Sequence, residues 1–125
     1  MSFQLKRELE KKIRLILSTL GHKHAKVGLA IISDEEMAEL NQRYRKREGS
    51  TNVLAFPGDP PFLGDIAISL DTAEREAKEC GFSLEEILDF YIIHGLLHLL
   101  GYNIDHPERE RLTKHLWEIL GHEPL

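Results

Sequence analysis

Cysteine is almost missing: Cys80 stands alone among 125 residues, so no internal disulfide can form and a reducing, cytoplasmic setting is expected. Placed in a helical stretch, that thiol reads as inert filling. Long apolar runs are missing too. The greasiest stretch, around Ile92–Leu100, is interrupted by His94 and His98 and is too short to span a bilayer, so no membrane partner is expected. The opening MSFQLKRELEKK has charge but no apolar signal core. Positive charge is not in excess: a net charge of −5 excludes a protein that coats nucleic acid indiscriminately. Aromatic residues make up only 7%, so Tyr44 and Tyr102 are expected to pack rather than to stack on bases, with Trp117 at a core edge. Low-complexity tracts, internal repeats and dividing linkers are also lacking, which leaves one domain over residues 1–125.

What is present alternates in character. Leu5, Leu9, Ile13, Ile16, Leu17 and Leu20 form one stripe that predicts an amphipathic helix ending at Gly21. Lys26–Ser33 predicts a strand, and Ser33 with Glu36 a capping box for a helix through Met37, Leu40 and Tyr44. Two β-rich runs, Asn52–Phe56 and Gly64–Leu70, flank a Pro/Gly-rich turn and predict paired strands. Asp71 with Glu74 opens the next helix, which Gly81 ends. Ser83 with Glu86 caps the long apolar helix to about Gly101, and Asp105 with Glu108 starts a last helix with Leu112, Leu116 and Ile119 inward. The sum is an α+β fold: a small mixed sheet covered by helices, with one helix buried nearly all round.

That buried helix carries the chemistry. His94 and His98 are four apart, so both rings leave one face and can converge on one ion. The spacing by itself equally fits two core histidines satisfied by carbonyls or a carboxylate. Apolar neighbours favour the neutral, ligating form of the rings. Gly95 implies close backbone approach, at a cost of roughly 1 kcal/mol of helix propensity. Beyond Gly101 the chain returns with Asp105 and His106. Two ligands on one helix, a third past a turn and no further His or Cys nearby leave a coordination position open, as in a catalytic zinc site. Position 95 also lacks the glutamate that an HExxH peptidase uses as its base. His115 and His122 read as surface residues, and His22 and His24 as part of a basic turn.

With these residues in place, HGLLHLLGY resembles the signature of the YbeY family, bacterial metal-dependent endoribonucleases of ribosomal RNA maturation. LNQRYRKREGSTNVLAFP at 40–57 and LGDIAIS at 63–69 resemble two further blocks of that family, in the same order. The resemblance implies a zinc-dependent single-strand endoribonuclease acting at the 16S 3′ end and in ribosome quality control. It implies His94, His98 and His106 as ligands of one Zn2+, with nickel, cobalt or copper also compatible. His94 and, through the block Asn41-x-x-Tyr44-Arg45, Arg45 are the implied catalytic residues, Arg45 offering a planar fork to phosphate. Ribosomal RNA or the small ribosomal subunit, with ribosome-associated proteins, are the implied partners. This chain departs by Asn103-Ile104, a two-residue insertion before Asp105-His106, by Ala55 where serine is usual, and by a shortened loop between the β runs. Asp105 is the alternative third ligand or a helix cap; Asp65, Asp105 or the substrate's 2′-hydroxyl are the candidate bases. Two other readings remain: a zinc hydrolase of peptides or small amides, and a non-catalytic ribosome-assembly or RNA-binding factor with a structural metal.

Overall fold

A computed structural model describes residues 3–45 and 52–125, and of Arg45 the backbone alone. The chain runs α1 (Phe3–Thr19), β1 (Lys26–Ile32), α2 (Asp34–Leu40), a π-helical turn (Asn41–Arg45), β2 (Val53–Pro57), β3 (Phe62–Ser69), α3 (Leu70–Cys80), α4 (Leu84–Leu99) and α5 (Arg109–Ile119). In the sheet, ordered β1-β3-β2, β3 pairs in parallel with β1 and antiparallel with β2. This is the expected α+β arrangement with a small mixed sheet. Among the described residues no helix is long and apolar enough to cross a membrane.

Strand alternation sorts the side chains of β3. Ile66 and Ile68 enter the large core with α1, α4 and α5, whereas Ala67 joins Met37 and Leu54 under α2. α4 is the hub of the large core. Ile87, Leu88, Tyr91, Ile92, Ile93, Leu96 and Leu97 are all buried, each worth roughly 1.5–3 kcal/mol by removal from water. The capping boxes of α2 and α4 form as expected, with the Ser33 and Ser83 hydroxyls accepting from Glu36 and Glu86 amides.

Several local expectations are corrected. α3 starts at Leu70, capped by Ser69, because the Asp71 carboxylate instead accepts the Asp34 amide at the start of α2. α5 has no side-chain cap on its own N-cap residue; the His106 ring takes the Glu108 amide that Asp105 was expected to hold. Trp117 is core, at 1% exposure, while Ile119 lies outside. His122 is not a surface residue. Its ring stacks on Trp117, centroids 4.0 Å apart, and its Nε2 donates to the fully buried Asp89 at 2.6 Å. Lys12 donates to both Asp89 oxygens at 2.9 Å, so one carboxylate ties α1 and the C-terminal segment to α4. Sequence periodicity does not reveal this because all three partners are far apart along the chain.

Candidate active site

The second half of α4 is open to solvent along one stripe only. Phe90 is half-buried, His94 and His98 are exposed, and the residues between them are buried. The i, i+4 spacing therefore makes the two histidines the only exposed side chains on the last turns of an otherwise enclosed helix. Gly95 sets how closely that helix lies on the sheet. A Cβ there would come within 2.9 Å of Ile66 Cδ1, so a larger residue would lift α4 from β3.

Both rings line a cleft of about 520 Å³ whose other walls are β2, from Val53 to Phe56, and Tyr44. Tyr44 was expected to pack; instead it is 58% exposed, with its ring edge-on to Phe56 at 5.2 Å. Arg45 follows Tyr44 at the end of the π-helical turn, which brings its backbone to this end of the cleft. Its side chain lies outside the described residues, as do the next two residues, Lys46 and Arg47. Asp65 is not a neighbour of the histidines. It alternates away from Ile66 onto the opposite sheet face, where its carboxylate lies across Gly28.

Gly101 turns the chain back. At φ 91°, its amide donates to the His98 carbonyl and the Tyr102 amide to that of Leu97, ending α4 in a left-handed cap. The returning segment packs the His106 ring edge-on against Tyr102 at 4.8 Å, and His106 Nδ1 accepts the Glu108 amide at 3.0 Å. Arg109, the first residue of α5, donates to the Tyr102 carbonyl and places a second guanidinium nitrogen 3.0 Å from His94 Nδ1. Partial desolvation by the surrounding chain and, after it, the Arg109 charge lower the His94 pKa from 6.5, which favours the neutral ring.

In donor type, three imidazoles suit a borderline divalent cation such as zinc. In arrangement, His94 and His98 share the cleft but His106 is turned to its own backbone. Among the described residues no three His, Cys, Asp or Glu side chains are gathered as a cage.

The sequence profile of the family described as Endoribonuclease YbeY matches residues 1–121. The chain belongs to that family. It is 47% identical over 103 residues to the endoribonuclease YbeY of Aquifex aeolicus, a match covering 78% of this chain and 69% of that protein. The YbeY of Syntrophus aciditrophicus is 40% identical over 105 residues, covering 78% and 66%. That of an Anaeromyxobacter strain is 38% identical over 110 residues, covering 84% and 57%, so the chain spans about two thirds or less of these relatives' lengths. The solution structure of TM1509 from Thermotoga maritima superposes with a TM-score of 0.70 at 30% identity, over 92% of this chain and 80% of that one. The expected family and fold are thus borne out. Sequence reading missed Arg109 in this YbeY-family chain. One signal was available: an arginine as the first residue of a helix opposes the helix dipole and needs some other partner.

Proposed function

We propose that the chain is an endoribonuclease that hydrolyses single-stranded ribosomal RNA, acting in the cytoplasm on the small ribosomal subunit near the 16S 3′ end. The observation that carries this reading is the pairing of His94 and His98 across one cleft from β2 and the Tyr44–Arg45 turn, in a YbeY-family chain. The cleft is open along a strand and is bordered by an exposed aromatic ring, features suited to an extended, unpaired strand. His94, His98 and His106 are the residues that would hold zinc. The bound ion would supply Lewis-acid charge to the phosphoryl oxygens of the scissile bond.

The chain's own groups then have separate tasks. Arg45 offers paired donors to a phosphate, Tyr44 gives a base an edge to rest on, and β2 excludes water from one side of the strand. Peptide hydrolysis is disfavoured at position 95. That site has no side chain, and any Cβ there would point at Ile66 rather than into the cleft.

Replacing Arg45 with glutamate should abolish cleavage of a purified single-stranded ribosomal fragment while zinc content stays that of the parent. Undiminished cleavage by that variant removes Arg45 from the reaction. Turnover of an unstructured protein such as casein by the zinc-loaded parent, without RNA cleavage, would replace the nuclease reading with the peptidase one.

A further inference from the structure

A neutral imidazole has one N–H and one lone pair, and a guanidinium is a donor only. Arg109 therefore meets His94 by donating to the Nδ1 lone pair at 3.0 Å, which puts the ring proton on Nε2. His106 is held in the same tautomer, its Nδ1 accepting the Glu108 amide at 3.0 Å. The His98 ring has no hydrogen-bond partner among the described residues. Of the three imidazoles read above as ligands, two already have their lone pairs in use.

An ion needs the same lone pair. Were it to bind His94 at Nδ1, Arg109 would have to leave. Binding at Nε2 would force the proton onto Nδ1, where it would face another donor. The exclusion thus holds whichever nitrogen ligates, and a guanidinium beside a divalent cation adds like-charge repulsion. Arg109 is also anchored independently of His94, by its donation to the Tyr102 carbonyl, so it waits beside the ring rather than depending on it.

We propose that Arg109 and the divalent cation compete for the lone pair of His94, so that Arg109 holds the site in an ion-free form and sets its affinity for metal. This rests on the reading of His94, His98 and His106 as ligands. Arg109 is in that sense a positioning residue, acting on the ligand rather than on RNA.

The test is zinc affinity of the full chain, read by competition with a fluorescent chelator and without any nuclease assay. Arg109→Met should tighten zinc roughly tenfold, the scale of one net hydrogen bond to a charged donor. Arg109→Gln, which keeps a donor without the charge, should fall between the two, and thermal melts of both variants check that α5 remains docked. In the ion-free parent, nitrogen NMR of the imidazoles should find the His94 proton on Nε2, with zinc releasing the Nδ1 contact. Equal zinc affinity in the parent and both variants overturns the competition while the ligand reading stands, provided that His98→Ala weakens zinc. If His98→Ala leaves zinc binding unchanged, the ligand assignment itself fails and the competition falls with it.

Discussion

Replacing Gly95 with alanine sets two effects of similar size against each other. An interior alanine favours the helix by about 1 kcal/mol over glycine. Against this, the new Cβ would stand 2.9, 3.2 and 3.3 Å from Cδ1, Cγ1 and Cγ2 of Ile66, a side chain with no exposed surface. Three close atoms on both branches of one isoleucine cannot be relieved by turning a single methyl. The helix and the strand must part instead, and overpacking of this kind costs about 1–3 kcal/mol. The net expectation is a loss of about 1 kcal/mol, or roughly 3–6 °C in Tm for a chain of this size. Denaturant titration measures it. The sharper assay is a double-mutant cycle with Ile66→Ala, which removes the crowding atoms. In that background Gly95→Ala should stabilise by about 1 kcal/mol, giving a coupling of about 2 kcal/mol between the two positions. A stabilising Gly95→Ala in the parent, with no coupling to Ile66, would refute close helix–sheet approach as the reason for the glycine.

Three further outcomes follow from the charges. Asp89→Asn should cost about 2–3 kcal/mol in denaturant titration, somewhat below a fully enclosed pair because Lys12 keeps 21% exposure; a loss under about 0.5 kcal/mol would contradict the clasp. Burial lowers the Lys12 pKa, but the hydrogen bond and charge of Asp89, and then Glu85, outweigh it and hold the ammonium above 10.5. Its contribution is therefore complete below pH 10.5 and is lost as pH rises through the folded value; stability of Lys12→Met should lack that alkaline decline. The His94 pKa is lowered, so its contribution is present above pH 6.5 and lost as pH falls through the folded value. In the ion-free protein, proton NMR should find His94 titrating below 6.5, and Arg109→Met should raise it part of the way by removing the second cause; a titration at or above 6.5 in the parent would contradict both.

Much of the fold is legible in the residue pattern because local rules agree there. The helix stripe of α1, the serine–glutamate boxes of α2 and α4 and the glycine ends at Gly81 and Gly101 each act within a few residues. Expectations failed where a side chain was taken by a partner far along the chain. Asp71 serves α2 instead of its own helix. The start of α5 is a local exception, where His106 rather than Asp105 meets the Glu108 amide two residues on. His122 looks like a tail residue until Asp89 and Trp117 are brought beside it.

The candidate site divides along the same line. The sequence alone determined that His94 and His98 share a helix face, from their spacing, and that position 95 supplies no base, from its being glycine. Only the tertiary structure decided that this face is the helix's open one, that β2 and Tyr44 wall the cleft, and that Asp65 lies on the far face of the sheet. Long-range packing also brought Arg109 to His94, a contact between a helix end and a helix face that no periodicity encodes.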